Sequence, residues 1–370
     1  MMHRRTNQNR HTLSLLLLLT ATLATKKIQA QWDIEESHTT ASLRGIHNVG
    51  GGVAWASGTN GTVLRTEDGG YLWQTCTIPP GAEKLDFRGI QAFDENTAIV
   101  MSSGKGDLSR LYKTTDGCQS WKLLFTNPDK EGFWDAIQFV DRTHGYLLGD
   151  PVGDSFRLRR TEDGGSTWQD QQTPSVRGNP ATQGAFAASN SVLWTAAAFN
   201  MTVAFGSGGK AGAMLYSLGF RGGSQYQVPV GGKTESSGIF SLFFRNDGGT
   251  RYIGIAVGGD YLKPDDSANT AAQTNSPSNW QRAQTPPHGY RSAVSYDPQQ
   301  KLWITVGPNG TDISRDEGKN WQPLTSSGYD PPDADKNWNA LSLPFVVGPH
   351  GRIGRLRTID RQAQPKPPAK

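Results

Sequence analysis

The sequence has little of what would build a helical protein or a metal site. Charged residues make up only 19% of the chain, and no long amphipathic stretch rich in Glu, Lys, Leu and Ala is present, which argues against a mostly helical fold. The seven histidines and two cysteines do not have the spacing of metal ligands, and HExxH, CxxC, GxSxG and phosphate-loop motifs are missing. We therefore expect neither a metal nor a cofactor.

Long hydrophobic runs are also missing. The apolar run at residues 13–19 is too short to cross a bilayer, which takes about 20 residues. It follows a basic start and precedes small residues, which is the pattern of an export signal. We predict that residues 1–30 are a signal peptide with cleavage after Ala30, and that the protein is periplasmic or secreted.

The chain has no surplus of positive charge once this leader is set aside. Of its 37 Lys and Arg residues, five lie in residues 1–30, so 32 remain against 33 Asp and Glu. Binding to phosphate backbones needs clustered positive charge, so we expect no nucleic-acid partner. The two cysteines, Cys76 and Cys118, could pair in an oxidising compartment, but both lie beside a repeated motif, and the sequence leaves a disulfide open.

Glycine and tryptophan, in contrast, are abundant, with 44 and 11 residues, and they recur in a repeated motif. The stretches "TEDGGYLW", "TTDGCQSW", "TEDGGSTW" and "SRDEGKNW" end at Trp73, Trp121, Trp168 and Trp321. The first three tryptophans are 48 and 47 residues apart, and the last gap of 153 residues is close to three such periods. A period near 50 is typical of a repeat architecture.

Each copy of this motif follows one short strand-like run and precedes another, so we place it in a β-hairpin connection. An Asp side chain can accept backbone N–H groups within its own turn, Gly supplies positions with positive φ, and the Trp ring can cover the turn. The motif is therefore expected to be structural and to carry no catalysis.

A second repeat marks the start of each unit. Seven segments share a small residue followed by alternating apolar positions: residues 43–49, 87–93, 134–140, 183–189, 237–243, 290–296 and 338–344. Small residues suit the innermost strand of a propeller, where strands crowd around the axis. We therefore predict an all-β fold, a seven-bladed β-propeller of four-stranded antiparallel blades.

The last unit lacks an outer strand, because "FVVGPHGRIGRL" supplies only two strands after its start. We expect the segment "QWDIEE" near the N-terminus to provide the missing strand, with Trp32 in place of the motif's tryptophan, so that the ring has no open sheet edge. On this interpretation residues 31–360 form the propeller, and the Pro-rich residues 361–370 form a disordered tail.

Candidate functional residues come from aligning the seven starts. Arg44, Arg88, Asp135 and Arg291 fall at the second position of their segments, so we expect them to converge on one mouth of the central channel. Arginine binds carboxylates bidentately and stays charged, which predicts a site for an anionic ligand or an acidic peptide. The alternative is that each arginine pairs with a nearby carboxylate and only closes the channel.

Further candidates lie in turns that follow strands. Asp150 belongs to "GDPVGD", and Asp260 and Lys263 belong to "GGDYLKPDD". Paired carboxylates could do acid/base chemistry on a glycoside or bind Ca²⁺. The alternative is that each Asp caps backbone N–H groups of its turn. Likewise, Trp134 and Trp338 could stack on sugar rings or pack in the core.

The repeated motif resembles the Asp-box, or bacterial neuraminidase repeat, whose pattern Ser/Thr-x-Asp-x-Gly-x-Thr-Trp is matched at every position by residues 161–168. Together with the start segments and the period, it resembles the photosystem II stability/assembly factor family and its exported bacterial relatives. That resemblance implies a scaffold that binds protein partners through an arginine-rich face, which we carry onto Arg44, Arg88 and Arg291. We expect a monomer whose partner is an envelope or secreted protein, with membrane proteins among the candidates.

Two alternatives follow from the same pattern. The Asp-boxes also resemble those of sialidases, which hold a substrate carboxylate with three arginines; here Arg44, Arg88 and Arg291 would take that role, with Asp135 as the acid. No Tyr/Glu nucleophile pair can be assigned, and sialidases have six blades. The other alternative is a carbohydrate-binding propeller, which the aromatic residues and the export signal favour.

Overall fold

The computed structural model describes residues 29–30, 32–171, 174–198, 201–219, 222–246, 252–276, 278–326 and 330–357. The predicted tail at 361–370 and the predicted signal peptide up to residue 28 lie outside the described residues. The described chain has two short 3-10 helices, Gly106–Leu108 and Pro174–Val176. Within it, no helix has the length and apolarity needed to span a membrane.

The described part of the chain starts with two short strands, β1 Gln29–Ala30 and β2 Trp32–Glu35, and then forms consecutive antiparallel blades. Blade 1 contains β3 Leu43–Gly50, β4 Val53–Gly58, β5 Val63–Thr66 and β6 Gln74–Thr75. Blade 2 contains β7 Phe87–Ala92, β8 Ala98–Ser102, β9 Arg110–Thr114 and β10 Lys122–Thr126. Blade 3 contains β11 Trp134–Phe139, β12 Gly145–Val152, β13 Ser155–Thr161 and β14 Gln169–Asp170.

The remaining blades continue in chain order. Blade 4 contains β15 Leu193–Ala198, β16 Met201–Gly206, β17 Met214–Gly219 and β18 Gly222–Gln227. Blade 5 contains β19 Ser237–Asn246, β20 Tyr252–Asp260, β21 Ala271–Thr274 and β22 Gln281–Arg282. Blade 6 contains β23 Ala293–Asp297, β24 Leu302–Gly307, β25 Gly310–Ser314 and β26 Gln322–Ser326. Blade 7 contains β27 Ala340–Ser342, β28 Phe345–Val347 and β29 Ile353–Leu356.

The ring is closed by the N-terminal strand, as the sequence predicts. Strand β2 pairs antiparallel with β29, so that Trp32 lies opposite Leu356, and it completes blade 7 as the outer strand. Trp32 is buried beside Trp338, with ring centroids 5.9 Å apart, and its Nε1 donates to Thr311 Oγ1 at 3.1 Å. In addition, β1 pairs parallel with β26 as a fifth strand on blade 6, which the sequence does not predict.

The hydrophobic core is divided among the blade interfaces. The described residues form seven buried clusters, and each one joins two adjacent blades, including the pair formed by blades 7 and 1. Consecutive innermost strands, from β3 through β27 and back to β3, contact each other around the axis. Each blade buries both faces against its neighbours, and the apolar area removed from water between blades stabilises the ring. The predicted all-β, seven-bladed fold is confirmed.

The repeated motif forms the turn expected of it. Thr66 Oγ1 donates to Asp68 Oδ1 at 2.9 Å and accepts from Gly70 N at 3.0 Å, while Asp68 Oδ1 accepts from Leu72 N at 3.0 Å. The same three contacts recur in residues 114–121, 161–168 and 314–321. The Asp carboxylates are thus used by their own turns, far from the axis.

The two cysteines form a disulfide. Cys76 follows β6 of blade 1, Cys118 lies in the motif of blade 2, and their Cα atoms are 5.3 Å apart. The bond links the outer parts of two neighbouring blades, which settles the question that the sequence leaves open.

The predicted start of the fourth unit is wrong. Residues 183–189 do not form the inner strand of blade 4, which is β15; instead, residues 185–191, which we call the plug, cross the channel. Asn190 Oδ1 accepts from Ile137 N at 2.8 Å, and its Nδ2 donates to the carbonyl oxygens of Ile137 and Ile90. Ser189 Oγ donates to the carbonyl of Ser292 on the far side of the channel at 2.7 Å. The plug therefore ties blades 2, 3 and 6 together.

Candidate functional site

The plug leaves a cavity at each end of the channel. The cavity at the starts of the inner strands, which we call the arginine mouth, has a volume of about 570 Å³. Its principal lining residues are Arg44, Arg88, Phe133, Asp135, Asp150, Phe186, Glu235, Phe240, Tyr261, Tyr290, Ser292, Trp338 and Asn339. They come from every blade or the loops that precede one, so the ring brings together side chains that are far apart in the chain.

Arg44 and Arg88 face each other across one carboxylate at this mouth. Arg88 Nε donates to Asp86 Oδ2 at 2.7 Å, and Arg44 Nε lies 3.8 Å from the same oxygen. Arg88 also donates from Nη1 to the carbonyl of Ala187 in the plug, at 3.3 Å. Burial, together with the charge of Arg88, lowers the pKa of Arg44. Arginine stays charged and binds carboxylates through charge-assisted hydrogen bonds, so these two guanidinium groups could hold an anionic ligand.

A pair of carboxyl groups lies on the same wall. Asp135 is fully buried, and its Oδ2 has no hydrogen-bond partner among the described residues. Asp150 Oδ1 accepts from the backbone N–H of Ala185 at 2.9 Å. Burial raises the pKa of Asp135 well above its usual range, and the charge of Asp150 raises it further. Burial also raises the pKa of Asp150, to about 6. A carboxyl pair of this kind holds a proton near neutral pH.

Aromatic rings also line this mouth. Phe186 of the plug stacks on Phe240 with ring centroids 3.9 Å apart, and Tyr290 meets Phe240 edge to face at 4.7 Å. Tyr261 lies at 6.2 Å from Phe240 and is half exposed. Burial raises the pKa of the Tyr290 hydroxyl. Trp338 also lines this mouth, but it is almost fully buried, so most of its surface packs in the core, as does that of Trp134.

Arg291 does not reach the arginine mouth, contrary to the sequence prediction. It is fully buried inside blade 6, where Nε donates to Asp312 Oδ2 at 2.8 Å and Nη1 donates to the carbonyl of Tyr290. In blade 6 it is Ser292 N, not Arg291 N, that donates to the neighbouring strand at Val306 O. The alignment is therefore off by one residue, and a shift of one residue turns a strand side chain to the other face. Ser292 takes the channel position instead.

Asp260 and Lys263 also lie outside the cavity lining. Asp260 Oδ1 accepts from Leu262 N at 3.1 Å and its Oδ2 accepts from Thr234 Oγ1 at 3.3 Å, so the carboxylate caps its own turn. The Lys263 side chain is exposed. Among the candidate residues, the structure thus brings together Arg44, Arg88, Asp135 and Asp150.

Sequence reasoning missed Asp86, Phe240 and the plug. Asp86 precedes Arg88 by two residues, and residues two apart in an extended segment point to the same face. The spacing of Asp86 and Arg88 could therefore have predicted this ion pair. Phe240 sits at a strand irregularity in β19, between Ile239 and Ser241, which the sequence does not reveal. No group of three or more His, Cys, Asp or Glu in the described chain is arranged to hold a metal ion.

At the other end of the channel lies a second cavity, of about 410 Å³, which we call the neutral mouth. It is lined by residues near the ends of the inner strands and by the plug, including His47, Gln138, Asn190, Trp194, Thr195, Ser295 and Tyr296. The plug separates it from the arginine mouth.

No protein-family model and no curated protein sequence matches this chain. Solved structures do. The structure of YCF48 bound to D1 peptide is 18% identical, covers 92% of this chain and 100% of its own, and superposes with a TM-score of 0.58. At this level of identity, the likeness shows that the two chains share a propeller fold. YCF48 from Cyanidioschyzon merolae gives the same identity and TM-score over 88% of this chain and 99% of its own.

Larger proteins of known structure share this propeller fold. A GH74 xyloglucanase from Xanthomonas campestris is 16% identical, with a TM-score of 0.54, over 89% of this chain and 54% of its own length. The extracellular domain of the putative one-component system BT4673 from B. thetaiotaomicron is 11% identical, with a TM-score of 0.55, over 88% of this chain and 40% of its own. These likenesses confirm the predicted propeller at the level of fold.

Proposed function

We propose that the chain is an exported, non-enzymatic scaffold that binds a protein partner at the arginine mouth. The observation that carries this proposal is the geometry of Arg44, Arg88 and Asp86. Two guanidinium groups share a single carboxylate at an accessible cavity, with their side chains 31% and 28% exposed. A carboxylate of the partner would accept charge-assisted hydrogen bonds from these guanidinium groups, and such bonds are the stronger kind.

The aromatic wall supports a peptide as the ligand. Arginine, tyrosine and tryptophan dominate the binding energy of protein interfaces, and here Arg44 and Arg88 line the same cavity as Phe240, Tyr261 and Tyr290. An extended segment with an acidic residue next to an apolar one would contact both kinds of side chain. The similar propeller YCF48 was solved with a D1 peptide bound, which supports the same class of ligand for this chain.

The scaffold is tested by capturing its partner. We would purify the tagged, exported protein with its companions and identify them by mass spectrometry, for the native chain and for Arg44→Gln plus Arg88→Gln. The matched control is Arg142→Gln plus Arg160→Gln, which removes two arginines that pair with Asp94 and Glu162 outside the channel. We expect a specific protein partner that the first variant loses and the control keeps. Equal capture by both variants would refute the proposal.

A glycoside hydrolase is the second candidate, and the Asp135 and Asp150 pair is the observation that favours it. A general acid with a raised pKa beside another carboxyl group is the arrangement used for glycoside hydrolysis, and one protein of similar fold is a xyloglucanase. A sialidase-type site would need a third arginine at the mouth, and Arg291 cannot supply it because it is buried in the blade interior. Turnover of a sialoside or of xyloglucan by the native chain, abolished in Asp135→Asn, would support the enzyme; no turnover supports the scaffold.

A further inference from the structure

The neutral mouth differs from the arginine mouth in its charge. No Asp, Glu, Lys or Arg belongs to the residues that line it. Its one imidazole, that of His47, accepts a hydrogen bond from Ala92 N at Nδ1, 2.9 Å away, so the proton of the neutral ring lies on Nε2. Burial lowers the pKa of His47 to about 4. The lining is therefore uncharged at neutral pH, and it would offer no countercharge to an ion.

The same lining is rich in polar groups without partners. The side chains of Thr195, Ser295 and Tyr296 make no hydrogen bond to any described residue, and neither do His47 Nε2 and Trp194 Nε1. All five side chains are partly exposed. An apolar ligand would bury these donors and acceptors unsatisfied, which costs free energy for each group.

Aromatic and aliphatic side chains lie among these polar groups. Trp194 packs edge to face on Phe244, with ring centroids 5.0 Å apart, and keeps part of its surface exposed. Tyr296 is held by Arg245, whose guanidinium carbon lies 4.4 Å from the ring centroid, and by Trp303 at 5.1 Å. The rings are therefore fixed in place by their neighbours, so little entropy is lost when a ligand packs on them.

We propose that the neutral mouth is a binding site for a neutral carbohydrate. A sugar presents hydroxyl groups, which can bond to Thr195, Ser295 and His47, and apolar C–H faces, which can pack on Trp194 and Tyr296. The volume of about 410 Å³ lies within the range of small-molecule sites. The plug closes the inner end of the site, so the ligand would enter from the open end of the channel. This site is separate from the proposed partner site and does not rest on it.

The test is titration of the full exported protein with a panel of neutral sugars, comprising methyl glucoside, cellobiose, maltose, xylobiose and their tetrasaccharides, by calorimetry or ligand-detected NMR. Glucuronic acid and glucosamine serve as charged counterparts. We expect at least one neutral sugar to bind, and the charged counterparts to bind more weakly by about tenfold or more. Failure of every neutral sugar to bind the folded protein would overturn the proposal.

Variants locate the site. Trp194→Ala should abolish binding, while the conservative changes Thr195→Val and Tyr296→Phe, which keep volume and fold, should weaken it by about tenfold or less each. The control Arg44→Gln plus Arg88→Gln should leave sugar binding unchanged, and Thr195→Val should leave capture of the protein partner unchanged. Sugar binding that survives Trp194→Ala, or that is lost in the arginine variant, would contradict the assignment to this mouth.

Discussion

Arg88 donates from Nε to Oδ2 of Asp86 at 2.7 Å. The same oxygen is the nearest counterion of Arg44, at 3.8 Å, so the acid holds two like charges together. We predict that Asp86→Asn raises the net charge of the arginine mouth by one, and that an acidic partner peptide binds more tightly, by severalfold, with a steeper dependence on salt. The free energy of unfolding should fall by about 1 kcal/mol, since the ion pairs are partly exposed. Calorimetric titration at two ionic strengths measures the first effect, and thermal unfolding measures the second.

The control for this change is Asp94→Asn. It removes a carboxylate that pairs with Arg142 outside the channel, so it makes the same change in net charge at a distance from the site. Equal tightening in both variants would show that Asp86 has no special place in binding.

Stability should depend on pH through Asp135 and Asp150. Because burial raises the pKa of both groups in the folded state, folded chains bind more protons than unfolded ones between the unfolded pKa, about 3.9, and the folded pKa of about 6 for Asp150. The contribution of these two groups to the free energy of unfolding is therefore fully present below this window and falls as pH rises through it. The loss is on the order of 3 kcal/mol for a shift of about two units.

This pH dependence can be separated from that of other carboxylates by substitution. In Asp135→Asn the buried group carries no charge, so we expect a higher melting temperature than native at pH 8 and a smaller fall between pH 5 and pH 8. Asp154→Asn, in an exposed turn, is the control and should follow the native curve. Identical curves for Asp135→Asn and the native chain would show that Asp135 is not the buried acid described here.

Ring closure should depend on Trp32. The side chain is 1% exposed, packs between blades 6 and 7, and donates to Thr311. We expect Trp32→Ala to lower the free energy of unfolding by about 3–5 kcal/mol, the usual loss for a large buried aromatic. Leu262→Ala, at a site that is 70% exposed, should change it by less than about 0.5 kcal/mol. Equal denaturation midpoints for the two variants would mean that β2 does not hold the ring together.

The sequence predicts the ring but not the details of its hub. The repeats specify local turns and the alternation of each strand, so the blade number and the closing strand could be derived. The exact residue that faces the channel depends on strand irregularities, such as those between Leu43 and Gly45 and between Phe87 and Gly89. A shift of one residue in the alignment at Arg291 was enough to assign a core residue to the channel.

The plug illustrates a second limit. Residues 183–189 have the small and apolar pattern of an inner strand, but the plug that overlaps them makes its contacts across the channel with blades 2, 3 and 6, through Ser189 and Asn190. Gly89 permits this, because a Cβ there would lie 2.8 Å from Asn190 Oδ1. Contacts between residues so far apart in the chain form only when the ring closes, so they cannot be predicted from a local sequence pattern.

The plug should stabilise the ring chiefly through Asn190. Its side chain bonds Ile137 N and two carbonyl oxygens, so Asn190→Ala leaves these buried backbone groups unsatisfied. We expect a loss of about 2–4 kcal/mol and faster hydrogen exchange at residues 185–191. Ser166→Ala, at an exposed turn, is the control. Unchanged exchange in Asn190→Ala would contradict the role given to the plug.

The most direct test of the account is the affinity of the captured partner's acidic segment for the native chain and for Arg44→Gln plus Arg88→Gln, measured by calorimetry over a range of salt concentrations. If the arginine mouth binds the partner, the native complex weakens as salt rises, and the variant binds about 100-fold more weakly with little remaining dependence on salt, since each charge-assisted bond contributes about 1.5–3 kcal/mol. Native-like affinity and salt dependence in the variant would contradict it.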